Sequence, residues 1–275
     1  MTTVPSTIKP LVYAVTTPKG GVGKTTTLTA LSLFAAMRGK KCLLIDLDNI
    51  GSFTNNFQGA DVRHPELSDV RDLFKDPDLG AQIKVSVISE NLHLIQGHSD
   101  VADVNRTTDL TLITRMKDNL LENLPGYTSY DYVFIDTPAG NGNTVAAALI
   151  FANRIYSPID LDHNAIGSLA ELTKMLKPIR RSLNPSLYWV GFVINRVPKL
   201  VRTLGKKVPE ATADRMIYEG LVENYGEKAL LGVIASRNPI KQALSSGSWI
   251  SGSDPSAQEA AAELEQFCKK VLEIN

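Results

Sequence analysis

Residues 16–26 carry the most specific chemistry in the chain: Thr16-Thr17-Pro18-Lys19-Gly20-Gly21-Val22-Gly23-Lys24-Thr25-Thr26. Gly20, Gly21 and Gly23 let backbone N–H groups, that of Val22 included, turn inward around a phosphate. Lys24 supplies a point charge for β- and γ-phosphates. Thr25 supplies a hydroxyl for Mg²⁺, and Thr26 can reach an α-phosphate. The ordinary phosphate-loop pattern needs Gly at position 18, where this chain has Pro18. A second lysine, Lys19, stands five residues before Lys24. One lysine is enough to hold a nucleotide's β- and γ-phosphates, so the second needs another task. A dimeric ATPase is the first expectation.

The elements around this loop fit it. The apolar run Leu11–Val15 precedes it, and Leu28, Leu31, Phe34 and Ala35 follow at helical spacing. This is the required strand–loop–helix, and the helix N-terminus adds its positive end to the anion site. Two further apolar runs end in acids. Residues 41–45 lead into Asp46-Leu47-Asp48, and residues 132–135 lead into Asp136-Thr137-Pro138. In open α/β sheets ligands gather at the carboxyl ends of strands. Carboxylates there can meet a phosphate-bound Mg²⁺, directly or through its waters. An Asp after a strand can also cap the next helix. Two of them beside a phosphate loop favour the metal.

The runs PKGGVGKTT, LLIDLDNIGSFT and YDYVFIDTPAG together resemble the deviant Walker-box ATPases of the ParA/Soj/MinD type, above all the ParA partition ATPases. The resemblance continues more weakly through NLHLIQGHSDVA, SPIDLDHNAIGSL, GFVINRV and GVIASRNPIKQA, so it spans nearly the whole chain. It implies ATP and Mg²⁺ as cofactors and a homodimer closed by ATP. Lys19 would cross the dimer interface to the partner's phosphates, so Lys19, Lys24 and Asp48 form the catalytic set. Asp48 would orient the attacking water. Asp46 would support a metal site shared with Thr25, and Asp136 would be the Walker B carboxylate. Asn195 would read adenine, since an amide can pair with a ring nitrogen and the amino group. A plain strand-end turn residue is the competing reading of Asn195.

The same resemblance implies a slow, dimerisation-dependent ATP hydrolase that segregates DNA. Its ATP-bound dimer would coat duplex DNA without sequence preference, and a ParB-like partner would trigger hydrolysis. The protein would be cytoplasmic and nucleoid-associated. The alternative is a MinD-like positioning ATPase at a membrane or protein hub. A small-molecule ligase or reductase on this fold would need a substrate or cluster site, for which the sequence offers no residues. The chain departs from the ParA pattern at Asn49-Ile50, Asn164-Ala165 and Ala235-Ser236, near the expected switch and base-contacting segments.

Apolar runs alternate with helix-length segments from Leu11 onward, which predicts an α/β fold with a doubly wound, mostly parallel sheet and helices on both faces. With 275 residues, 43% hydrophobic and 21% charged, and no dividing linker, residues 1–275 are expected to form a single P-loop ATPase domain, with 1–10 a flexible N-terminus. The N-terminus lacks the features of a signal peptide. The longest apolar run, Val145–Ala152, is far short of a membrane span. Cys42 and Cys268 read as buried thiols of a reducing compartment rather than a disulfide. No C-x-x-C is present to hold an iron–sulfur cluster.

Net charge is zero, but the charge is uneven. From Leu172 to Pro209 there is no Asp or Glu, and nine Lys and Arg residues make a strong local field. Lys177, Arg180, Arg181, Lys199, Arg202, Lys206 and Lys207 are the candidate DNA contacts, with Arg237 and Lys241 a second site at i, i+4. Lys177, Arg180 and Arg181 are expected on one face of a helix ending near Ser182. Tyr188 and Trp189 lie in an apolar run and are expected in the core. Cations without base-reading side chains suit sequence-independent binding.

The final helix carries Ala257, Ala260, Ala261, Leu264, Phe267, Cys268 and Val271 on one stripe, with Glu259, Glu263, Glu265, Lys269 and Lys270 opposite. Membrane-surface helices need a cationic polar face and bulky anchors. This one is expected to pack on its own domain.

Overall fold

The computed structural model describes residues 10–58, 65–109, 111–203 and 205–272. The expected flexible N-terminus falls on residues outside these, Pro10 excepted. One eight-stranded sheet runs through the chain in the order β10-β7-β6-β1-β5-β2-β4-β3. The elements follow in chain order: β1 Leu11–Val15, α1 Lys24–Ala36, β2 Cys42–Asp46, α2 Ser52–Gln58, β3 Ser86–Ser89, β4 Leu92–Ile95, α3 Leu112–Glu122, β5 Tyr132–Asp136 and α4 Asn143–Phe151. Then come β6 Arg154–Ile159, α5 Ala165–Pro178, β7 Tyr188–Val197, β8 Leu200–Thr203, β9 Lys206–Pro209, α6 Thr212–Tyr225, β10 Leu230–Ala235, α7 Asn238–Leu244 and α8 Pro255–Leu272. All pairings in the large sheet are parallel except β3 with β4, and β8–β9 form a separate antiparallel hairpin.

The central strands are buried on both faces, as parallel strands between helical layers must be. Side chains alternate across the sheet. Val12, Ala14, Leu43, Ile45, Val133 and Ile135 face one core, where Met116 of α3, Leu149 of α4, Leu169 of α5 and Leu221 of α6 cover them. Tyr13, Val15, Leu44 and Phe134 face the other, against Leu31 and Phe34 of α1, Ile240 of α7 and Phe267 of α8. The doubly wound sheet expected from the alternation of runs is therefore present. Cys42 and Cys268 are free, buried thiols, and burial pushes both above the ordinary range.

The register aligns the chemistry. β1, β5 and β2 are adjacent and parallel, with Val15 opposite Asp136 and Asp136 opposite Asp46. Three strands thus end in one row beneath the phosphate loop. The strand order reverses at β1, which lies between β5 and β6. A crevice at such a switch point is where ligands of this fold class bind.

Two local expectations need correction. Tyr188 is 51% exposed rather than core, because it opens β7 at the sheet's rim, where the Arg154 guanidinium lies over its ring. Trp189 is partly buried against Phe192 and Tyr225. The helix carrying Lys177 stops at Pro178, and residues Ile179–Leu183 continue as a π-turn. Proline has no N–H for the preceding turn and its ring crowds that carbonyl, so the pitch opens. Lys177, Arg180 and Arg181 remain exposed, but not on one regular α-helical stripe.

Candidate functional site

Gly23 ends the loop in a left-handed conformation, φ +93, and is the N-cap of α1. It is required twice over. A side chain there would be strained, and a Cβ would sit 2.1 Å from Asn195 Nδ2. The loop is held to its neighbours by backbone, with Gly140 N–H donating to Pro18 O at 3.1 Å. It opens into a cleft of about 540 Å³, within the range of small-molecule sites.

Lys24 is 7% exposed, and its Nζ reaches the Lys19 carbonyl at 3.4 Å. Burial lowers its pKa, opposed by the charges of Asp136 and Asp48. A buried ammonium at a loop of inward-facing amides suits an anionic ligand. Thr25 Oγ1 donates to Asp136 Oδ2 at 2.6 Å. The other Asp136 oxygen, Oδ1, is buried without a partner among the described residues. Burial, with the neighbouring Asp46 charge second, pushes the Asp136 carboxyl well above its usual range. A cation beside Thr25 and Asp136 would relieve that. Among the described residues no cluster of three or more His, Cys, Asp or Glu could cage a metal. This donor set fits Mg²⁺, which takes few protein ligands and keeps waters and phosphate oxygens. Thr25 and Asp136 would hold it.

Asp46, expected to support the metal site, lies opposite Asp136 and hydrogen-bonds the segment that follows it. Its Oδ2 accepts Thr54 N–H at 2.7 Å and the Thr54 hydroxyl at 2.8 Å, and its Oδ1 accepts Asp48 N–H at 3.2 Å. It is fully buried, and burial raises its pKa to about 6. It anchors the segment bearing Asp48 and α2, and Thr54 was not legible as its partner from sequence. Asp48 lines the cleft, where its Oδ1 accepts Ile50 N–H at 3.0 Å.

Asn195 also lines the cleft, but its amide donates to Val22 O at 2.9 Å. Lys19 does not line this cleft. Its Nζ is ion-paired with Asp162, after β6, and that hydrogen bond holds the Asp162 carboxyl below the usual range. Sequence reasoning missed Asp162, although the signal was present. Ile159-Asp160-Leu161-Asp162 repeats Ile45-Asp46-Leu47-Asp48 letter for letter at the end of another strand. Arg196, which donates to Gly21 O, was also missed.

The basic residues divide. Acids from outside the 172–209 window come to meet several of them. Lys199 pairs with Glu210 at 2.8 Å, Lys206 with Glu227, and Lys207 with Glu263 at 2.6 Å. Arg237 pairs with Glu259 and, at 3.2 Å, with Glu263. Glu263 is thus not on a solvated face of α8. It is 5% exposed and also accepts Ala235 N–H at 2.9 Å. Lys207 and Arg237 are turned inward as its counter-charges, and Arg237 and Lys241 line the phosphate-loop cleft rather than a separate surface. Lys177, Arg180, Arg181 and Arg202 are exposed and have no ion pair to a described residue.

The chain matches the AAA domain family AAA_31 over residues 11–189, more than half its length. It is 30% identical over 234 residues to the chromosome partitioning protein ParA of Caulobacter vibrioides, a match covering 80% of this chain and 86% of that one. It is 30% identical over 250 residues to the chromosome-partitioning ATPase Soj of Thermus thermophilus, covering 90% of each. Among solved structures, a putative plasmid partition protein from Borrelia burgdorferi B31 bound to AMPPNP aligns with a TM-score of 0.71 at 21% identity, covering 96% of this chain and 99% of that one. The chain belongs to the ParA/Soj family of P-loop ATPases.

Proposed function

We propose that this chain is a DNA-segregation ATPase whose ATP-bound sandwich dimer binds duplex DNA without sequence preference. A ParB-like partner protein stimulates hydrolysis and release. The observation that carries this reading is the placement of Lys19: at the mouth of the phosphate loop, outside its own cleft and 37% exposed, paired with Asp162. A cation so placed can serve a second protomer's nucleotide. The exposed cations Lys177, Arg180, Arg181 and Arg202 are the DNA contacts this reading retains.

Thr25 and Asp136 would hold Mg²⁺, which would supply charge neutralisation at the triphosphate. The chain's own residues do the rest. Loop amides and Lys24 orient the β- and γ-phosphates. Thr25 and Asp136 fix the metal position. Asp48, on a turn anchored through Asp46 and Thr54, orients water in line with the terminal phosphorus. Lys19 of a second copy stabilises charge in the transition state, as an arginine finger does. Hydrolysis then depends on dimerisation and is slow until a partner completes the geometry.

The positioning alternative at a membrane has less support. No helix of the described residues is long and apolar enough to cross a membrane. The apolar stripe of α8 is spent on the core, with Ala257, Ala260, Leu264, Phe267, Cys268 and Val271 all buried. The deciding experiment measures duplex binding and molar mass with ATP and with ADP. Binding and dimers with ATP alone support partition. Equal binding with both nucleotides refutes the dimer switch, and no binding with either favours the positioning reading.

A further inference from the structure

A phosphate loop works only if its N–H groups face inward, which turns its carbonyls outward. Two of those carbonyls are held by consecutive residues near the end of β7, both of which also line the cleft. Asn195 Nδ2 donates to Val22 O at 2.9 Å, and Arg196 Nη1 donates to Gly21 O. These bridges join positions 173 and 175 residues apart.

Neighbouring residues of a strand normally point to opposite faces. Both reach the same loop here because Arg196 departs from strand geometry. It has φ +60, and it alone among the described non-glycine residues has positive φ. A long side chain in the left-handed region is strained, and such strain persists only where surrounding contacts over-determine it. The contacts are visible. Gly21 O takes the guanidinium, and the Asp160 carboxylate lies near enough to attract it.

We infer that Arg196 is a positioning residue of the phosphate loop. With Asn195 it pins the outward carbonyls, so the inward amides are arranged before a nucleotide arrives. Part of the binding cost is thereby met in the fold rather than on binding. Asn195 then has a task on the loop whether or not it also meets a base. The inference rests on the reading that this loop binds nucleotide phosphates.

The test uses the full chain with Arg196→Gly and Arg196→Lys. Glycine accepts φ +60 without strain but offers no side-chain donor. The thermal midpoint of Arg196→Gly should therefore stay near that of the parent, relief of strain offsetting the lost hydrogen bond. Amide hydrogen exchange over residues 20–24, without nucleotide, should speed up about tenfold, as expected for loss of one charge-assisted hydrogen bond. Calorimetric affinity for Mg·AMPPNP should fall roughly three- to tenfold for the same reason, and Arg196→Lys should recover part of it. Affinities for AMPPNP and GMPPNP should fall by one common factor. Unchanged exchange over residues 20–24 in Arg196→Gly overturns the inference, whatever happens to the midpoint. An altered AMPPNP-to-GMPPNP ratio also overturns it, by assigning Arg196 to the base. If the parent protein does not bind AMPPNP, the nucleotide reading falls, and the exchange arm still decides whether Arg196 holds the loop.

Discussion

Lys19 and Asp162, 143 positions apart, form an ion pair across the point where the strand order of the sheet reverses. The lysine follows β1 and the aspartate follows β6, and those strands are parallel neighbours. The two side chains are 37% and 30% exposed, so solvent screens the pair and its energy is modest. The pair still has a consequence for chemistry. It holds the second lysine outside its own cleft with its charge satisfied, in a bond that a more highly charged triphosphate can replace.

The two loop lysines should therefore fail differently. Lys24→Ala removes a buried charge from the phosphate site and should abolish ATP binding. Lys19→Ala should bind ATP nearly as the parent does while losing dimers and hydrolysis, by a factor on the order of 10³ if it acts as a finger in trans. Calorimetry and light scattering separate the two. Equal loss of binding in both variants would put Lys19 in its own site.

Asp48→Ala should bind ATP, form dimers, and turn over at least a hundredfold more slowly, within the roughly 10²–10⁴ range of positioned proton-transfer and water-orienting groups. The basis is its place at the cleft on a turn fixed by Asp46. Single-turnover hydrolysis at the parental rate would remove Asp48 from the mechanism.

Asp46 should make stability fall as pH rises. Its folded pKa is about 6, above the ordinary 3.8, because burial disfavours the charge. Between those values the folded chain binds more protons than the unfolded one, so this carboxyl's contribution is full below about pH 4 and is lost as pH passes 6. The shift corresponds to at most about 3 kcal/mol. Urea titrations of nucleotide-free protein at pH 4.5 and 6.5 should show a flatter pH dependence for Asp46→Asn than for the parent. Parallel behaviour would contradict the assignment.

Glu263 should matter to stability and Arg180 to DNA. Glu263→Ala leaves Arg237, Lys207 and Ala235 N–H without their shared acceptor and should cost about 3 kcal/mol in urea unfolding, the low end for breaking a buried pair. Changing Arg180 and Arg181 to Ala should leave stability within about 0.5 kcal/mol, as exposed unpaired sites do. It should weaken duplex binding for all sequences alike and reduce the salt slope by about 0.9 per lost phosphate contact. A salt titration on two unrelated duplexes reads both effects; an unchanged slope would exclude these arginines as contacts.

Much of the site was legible because its signals are local. Strand, glycine loop, Lys24-Thr25 and helix are neighbours in the chain, and their geometry follows from neighbouring backbone preferences. Asp48 and Asp136 were legible because each closes an apolar run, and a parallel sheet brings such run ends into one row. What the tertiary structure alone decided depends on which strands are adjacent. The partners Lys19–Asp162, Asp46–Thr54 and Arg196–Gly21 meet through strand order or loop closure, which periodicity does not encode. The 172–209 window held no acid, yet Glu210, Glu227 and Glu263 satisfy three of its cations, because a Coulomb field acts through space and not along the sequence.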